Sequence, residues 1–194
     1  MSGENKAGQM SSYSGPPWVF DMQGMSLFWL EKAKELKRAA WLVWQGVQYD
    51  FNEVRRVASR DYDPDKDNSP QHLPSVMGPF VLLAALAIEN LLKGLLVIDH
   101  PECVKDGKLR GEVITSHDLL RLAEEANVDL DEDEESFCEL GTSAIEGWGR
   151  YPISKNVSKM MGKITVKGTA GEVFERLFDR LAEVISQKPF PSKV

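Results

Sequence analysis

The sequence predicts an all-α protein, an up-and-down bundle of about five helices. Apolar residues recur at helical spacing in several long segments, and no segment shows the sustained alternation of a sheet strand. Residues 80–98, FVLLAALAIENLLKGLLVI, are apolar on nearly every side, which is typical of a helix surrounded by other helices. Segments rich in proline and glycine separate the helical stretches and are expected to form the connections.

The length and charge of the chain limit its organisation and its partners. With 194 residues it is long enough for one domain, and we expect a disordered tail at 1–20, a single helical-bundle domain at 21–188 and a C-terminal tail at 189–194. The first residues lack the basic and apolar parts of an export signal, which favours a cytoplasmic protein. The net charge of −7 gives no bulk attraction for nucleic acid, so a polyanion would need a local cationic pocket.

The first predicted helix is Met25–Phe51, and the segment Ser59–Pro79 after it is predicted to be a loop because it contains four prolines. The tryptophans at 29, 41, 44 and 148 are expected in the core rather than on a base-stacking surface. One stripe of the helix, with Lys37 as its charged exception, collects the apolar residues Leu30, Ala33, Ala40, Trp44, Val47 and Phe51.

The central predicted helix, Phe80–Ile98, carries Glu89 and Lys93 near its middle. It is long enough for a membrane span, but a charge at the bilayer centre costs about 2.5–3.5 kcal/mol, and no aromatic belt or basic flank marks its ends. A core helix is therefore predicted. The i,i+4 spacing with the acid first favours an ion pair, which either holds the bundle in register or belongs to a polar site.

Two helix starts follow the connection at 100–114. Thr115 is predicted to cap a helix with Asp118 at its third position, which would place His117 in the first turn. The five acids Asp131–Glu135 precede a helical run that ends near Gly147 and Gly149. Acids at a helix start suit the helix dipole, and their spacing lacks the glycine and final glutamate of a calcium loop, so capping is favoured over metal binding.

The end of the chain contains one more predicted helix. The segment Thr169–Glu172 is predicted to form a capping box, and helical periodicity continues up to Pro189.

The two cysteines indicate the redox state of the protein. Cys103 and Cys138 are isolated and lack metal-ligand spacing, which predicts a reduced protein.

Four motifs together resemble the HEPN superfamily, small helical bundles of prokaryotic toxin–antitoxin and defence systems that are also fused to nucleotidyltransferases. They are WLEKAKELKRAA at 29–40, AIENLLKGLL at 87–96, SHDLLRLAEEA at 116–126 and GRYP at 149–152. The resemblance covers residues 29–152 and implies a HEPN-like bundle that binds RNA or a nucleotide, without a cofactor. It also implies a homodimer and a partner of the antitoxin or nucleotidyltransferase kind.

Ribonucleases of this superfamily carry an arginine and a histidine, four to six residues apart, that cleave RNA without metal. Arg110 and His117 have this spacing here, with six residues between them. Arg110 nevertheless precedes Gly111 in a predicted loop, whereas the active ribonucleases carry the pair on a helix. Metal-independent RNA cleavage and binding without chemistry therefore both remain open.

The site hypothesis is that Glu89, Lys93, His117 and Arg150 converge on one cleft. His117 would be the base that activates a ribose 2′-hydroxyl, Arg150 and Lys93 would hold the phosphate, and Glu89 would orient Lys93 or His117. Tyr151, from the resemblance, joins the phosphate-binding residues. Each residue also has an ordinary structural role, such as a helix cap or a surface ion pair. The alternative function is a non-catalytic dimerisation or partner-binding protein.

Overall fold

The computed structural model describes residues 26–59, 75–105, 108–150 and 169–188, and it is an all-α bundle as predicted. The helices are α1 (Ser26–Val57), α2 (Met77–Asp99), α3 (Leu119–Glu125), α4 (Glu132–Ser143) and α5 (Ala170–Gln187). Within these ranges the β structure is a short antiparallel ribbon of β1 (Val104–Lys105) and β2 (Lys108–Leu109), in which Val104 lies opposite Leu109. The predicted tails at 1–20 and 189–194, and Tyr151, lie outside the described residues.

Helix α2 is the centre of the bundle. It packs against all four other helices, and most residues between Phe80 and Val97 are buried. A sequence that is apolar on all sides thus lies where all sides are covered, and each large side chain buried there contributes about 1.5–3 kcal/mol. The helix begins at Met77 rather than at Phe80, because Pro79 falls in its first turn, where the missing N–H group has no partner to lose.

Helix α1 buries the predicted stripe, including Leu30, Ala33 and Trp44, against the rest of the bundle. It runs six residues past the predicted end at Phe51, since no proline or glycine stops it before Val57. One expectation for this helix is wrong. Trp41 lies on the outer face with 37% of its surface exposed, so it is not a core residue.

The start of α3 differs from the prediction and moves His117 out of the helix. The cap is Asp118, whose carboxylate accepts a hydrogen bond from the N–H group of Arg121, and the helix begins at Leu119. The Thr115 hydroxyl instead lies 3.0 Å from the carbonyl oxygen of Gly111, which satisfies it within the preceding turn. His117 therefore precedes the helix instead of lying in its first turn.

The acidic cluster caps α4 as predicted. Asp131 and Glu134 form a capping box, with each side chain accepting a hydrogen bond from the other residue's N–H group. The same carboxylates bind two arginines of α5, since Arg176 lies 2.7 Å from Asp131 and Arg180 lies 2.6 Å from Glu134. The box therefore also fastens α4 to α5. At the start of α5, the helix begins after Thr169 as expected, but its side chain makes no capping bond, so the predicted capping box there is wrong.

Helix α4 continues into a π-helical turn, Ala144–Trp148, before the chain reaches Gly149. The N–H group of Gly149 lies 3.1 Å from the carbonyl oxygen of Ala144, five residues earlier. A Cβ atom at Gly149 would come within 2.7 Å of that oxygen, so the close turn requires glycine here. This turn directs the chain to Arg150.

Candidate functional site

The middle of α2 carries a compact charged cluster that the surrounding elements complete. Nζ of Lys93 lies 2.7 Å from Oε1 of Glu89, one helical turn earlier. Nδ1 of His117 lies 3.2 Å from Oε1 and 3.1 Å from Oε2 of the same carboxylate. These three residues are called the Glu89 cluster below. The structure thus brings together three of the four residues that the sequence predicted to converge.

Burial within the Glu89 cluster is graded from core to surface. The side chains of Glu89 and Lys93 expose 8% and 6% of their surface, whereas that of His117 exposes 43%. The predicted ion pair is therefore buried. Removing one partner of such a pair typically costs about 3–5 kcal/mol, because the other charge is left without compensation. His117 is the member of the cluster that a dissolved ligand can reach.

Local hydrogen bonds in the loop before α3 place His117 against the carboxylate of Glu89. The N–H group of Ser116 lies 2.8 Å from the carbonyl oxygen of Val113, and the N–H group of Asp118 lies 3.0 Å from the Ser116 hydroxyl. The N–H group of Leu119 then donates to the Thr142 hydroxyl of α4 at 3.0 Å. Bonds on both sides of His117 hold the backbone, so the ring is directed towards α2.

The chemistry available to this ring follows from its partner. An ionised carboxylate accepts hydrogen bonds and cannot donate them, so a neutral imidazole that binds it through Nδ1 would carry its hydrogen on that atom. A neutral ring in that state has a free lone pair on Nε2. A carboxylate that orients a histidine in this way is a recurrent arrangement for general bases and metal ligands. The Glu89 cluster is therefore equipped to accept a proton or a hydrogen bond at Nε2.

Arg150 makes no direct contact with the Glu89 cluster. In the part of the chain that the structure describes, no hydrogen bond or ion pair joins its side chain to Glu89, Lys93 or His117. The π-helical turn before it places the Trp148 ring 3.3 Å from a Cβ built on Gly78, at the amino end of α2. Glu89 is eleven residues further along that helix, roughly 16 Å at 1.5 Å per residue.

Arg110, the other predicted arginine, lies on an exposed loop directly after β2. Its backbone N–H group donates to the carbonyl oxygen of Cys103 at 2.7 Å. The structure therefore agrees with the predicted departure from the ribonuclease pattern, since Arg110 and His117 are both outside helices.

Two features of the molecule were missed by sequence reasoning. The first is the pair Arg176 and Arg180, whose i,i+4 spacing beside the buried Leu177 and Leu181 was a signal for a shared partner. The second is the outward apolar face of α1. The most exposed large apolar residues of this helix are Leu42, Val54 and Tyr49, at 63%, 62% and 48%.

The remaining ionisable groups offer no metal centre among residues 26–59, 75–105, 108–150 and 169–188, where no three His, Cys, Asp or Glu side chains are grouped suitably. Burial raises the pKa of the Cys138 thiol to about 12, helped by the nearby carboxylate of Glu134. Partial burial and Glu102 also raise the pKa of Cys103. Both thiols are therefore protonated near neutral pH and are poor nucleophiles.

Comparison with known proteins gives no family for the chain: no family model, curated protein or solved structure matches it significantly. Among the described helices, α2 alone is long and apolar enough to cross a membrane, with 72% of its most apolar window buried inside the bundle. A buried core helix of this composition passes the same test, so this is weak support for a membrane span.

Proposed function

We propose that this protein is a HEPN-like module that binds RNA or a nucleotide at the Glu89 cluster. The observation that carries the proposal is a half-exposed imidazole held by a carboxylate that is itself buried with an ammonium group. A buried ion pair contributes little net stability compared with apolar residues of the same size. A functional role for Glu89 and Lys93 explains their place in an otherwise apolar helix.

RNA cleavage without metal is the reaction that this site could perform. Nε2 of His117 would take the proton of a ribose 2′-hydroxyl, whose oxygen would then attack the adjacent phosphorus and release the 5′-oxygen of the next nucleotide, which takes up a proton. Arg150 and Tyr151 remain the candidates for the phosphate. Lys93, which the sequence also suggested for the phosphate, is buried with Glu89 and is left a positioning role. The resemblance further suggests a partner of the antitoxin or nucleotidyltransferase kind, and the isolated cysteines favour a cytoplasmic location.

The decisive comparison is between two histidines. His117→Ala removes the ligand-facing ring, and we expect an affinity for single-stranded RNA about two- to tenfold weaker, as the loss of one neutral hydrogen bond of about 0.5–1.5 kcal/mol implies. His100→Ala is the matched control, because His100 also lies beside a glutamate, at 3.2 Å from Glu102, but 54% of its side chain is exposed. Binding is measured by fluorescence anisotropy, and cleavage by gel in the presence of EDTA. Equal affinities for wild type and His117→Ala would refute the proposal.

The alternative function, a dimerisation or partner-binding protein, is supported by the outer face of α1. Trp41, Leu42 and Tyr49 lie on one exposed stripe of this helix, where apolar groups gain stability by association. If two copies pair there, Leu42→Glu will yield monomers by light scattering. Val184→Glu on α5, another exposed apolar position, is the control and should leave the mass unchanged. A wild-type protein that stays monomeric at high concentration would refute dimerisation through α1.

A further inference from the structure

We propose that Glu89 and Lys93 together hold His117 as the Nδ1–H tautomer, so that the ligand presents a hydrogen-bond donor, a hydroxyl or an N–H group, to Nε2. The tautomer follows from the geometry of the cluster, whereas the ligand assignment rests on the proposed function. Glu89 and Lys93 are positioning residues in this scheme, since they act through His117.

Lys93 and His117 share the carboxylate of Glu89. Oε1 of Glu89 accepts from the Lys93 ammonium at 2.7 Å, and Nδ1 of His117 lies within 3.2 Å of both oxygens. An ammonium group has three donors and no acceptor, so Lys93 requires an acceptor at Oε1. An ionised carboxylate has no hydrogen to donate, so Nδ1 has to carry the hydrogen of its contact with Glu89.

The tautomer of His117 determines which chemical groups of a ligand can bind to its ring. A neutral His117 with hydrogen on Nδ1 offers only an acceptor at Nε2, and it therefore cannot donate to a phosphate oxygen. A ribose hydroxyl or a base N–H group can donate to it. The half-exposed ring thus selects the nucleoside part of a nucleotide, and the phosphate has to be bound by other groups.

Nuclear magnetic resonance of the histidine nitrogens tests the tautomer directly. The chain has three histidines, His72, His100 and His117, which single His→Gln variants assign. At about pH 8.5, two units above the ordinary histidine pKa, wild-type His117 is expected to show a protonated Nδ1 and an unprotonated Nε2. The opposite pattern in the wild-type protein would overturn the proposal whether or not any variant folds.

Glu89→Gln provides the matching perturbation. Lys93 keeps the carbonyl oxygen of the new amide, so the NH2 group faces His117, and Nδ1 must then accept. We expect the tautomer to invert to Nε2–H. Glu102→Gln is the control, because Glu102 lies 3.2 Å from Nδ1 of His100 and should leave the His117 signals unchanged. A His117 tautomer that is the same in wild type and in folded Glu89→Gln would reject the role of Glu89.

The ligand assignment has its own measurement on the wild-type protein. Adenosine 5′-monophosphate is expected to move the Nε2 resonance of His117, and inorganic phosphate is expected to leave it in place. Movement with inorganic phosphate, or no movement with either compound, would overturn the ligand assignment. An Nδ1–H tautomer in a protein that binds no RNA would refute the proposed function and leave the positioning role of Glu89 and Lys93 intact.

Discussion

At the residue scale, Lys93 is the most constrained side chain of the cluster, because it supplies the charge that balances a buried carboxylate. Lys93→Met leaves Glu89 in the core with only His117 beside it, and we expect the free energy of unfolding to fall by about 3–5 kcal/mol. Urea denaturation followed by circular dichroism measures this change. Most of the loss should be recovered in the double variant Glu89→Leu, Lys93→Met, which removes both charges.

Lys34→Met is the matched control for that measurement. Lys34 also pairs with a glutamate of its own helix, since its ammonium group lies 2.7 Å from Glu31 on α1. Both of these side chains are more than half exposed. Exposed pairs contribute about 0–1 kcal/mol, so this variant should be nearly neutral. A loss with Lys93→Met no larger than that of Lys34→Met would show that the Glu89 cluster is not effectively buried.

Cys138 provides a residue-scale prediction about pH. Burial raises the pKa of its thiol from 9.0 to about 12, so the folded state favours the protonated form. The resulting stabilisation is fully present below pH 9 and is lost as the pH rises from there towards 12, since the unfolded chain then releases the proton first. In Cys103→Ser, a disulfide reagent at about pH 8 should therefore find no reactive thiol until the protein is denatured. Rapid reaction of the native variant would contradict the assigned burial.

At the element scale, the approach of α4 to α2 depends on Gly141. A Cβ atom at this position would lie 2.8 Å from Cβ of Ala85 and 2.9 Å from Cδ1 of Leu119. Alanine normally stabilises a helix by about 1 kcal/mol relative to glycine, whereas overpacking a core costs about 1–3 kcal/mol. We expect the second effect to dominate in Gly141→Ala, with a lower melting temperature. Glu139→Ala, an exposed change on the same helix, should shift it little, and a stabilised Gly141→Ala would show that α4 can move away.

The elements themselves were predicted best where local rules decide. The acidic cap at the start of α4 and the ion pair of Glu89 with Lys93 depend on residues within one turn, and both are present. The capping box predicted at Thr169 is the local exception, since it is absent. The start of α3 was missed because Thr115, Ser116 and Asp118 are all good caps, and the choice depends on which hydroxyl finds another partner. The contact of His117 with Glu89, 28 positions earlier, has no local signal, and it was predicted only because both residues belong to the site hypothesis.

At the scale of the whole molecule, the same limit explains Trp41 and Arg150. Periodicity shows which side of α1 is most apolar, but it does not show how much of the helix surface the neighbouring helices cover. Trp41 lies just outside the covered surface. The placement of Arg150 depends on the π-helical turn, which shifts the direction of the chain and has no reliable sequence pattern. Sequence reasoning therefore identified the cluster on α2 and could not determine how far the fourth residue lies from it.

The distribution of charge over the whole chain leads to a final prediction. The net charge is −7, yet residues 150–168 contain five cations and no acid: Arg150, Lys155, Lys159, Lys163 and Lys167. If these cations neutralise phosphates of single-stranded RNA, the slope of log K against log salt will approach about −3.5. Glutamine at 155, 159 and 163 should make the slope shallower by about 2.

Lys32 and Lys34 on α1 are the control for that experiment, because each is already paired with a neighbouring glutamate at 2.8 and 2.7 Å. Their replacement by glutamine should leave the salt slope unchanged. Because the rest of the chain is acidic, RNA that binds this protein must be attracted by a local excess of positive charge. A slope near zero, or one that the two sets of variants change equally, would show that the basic segment does not contact phosphate and that the ligand is smaller than a polynucleotide.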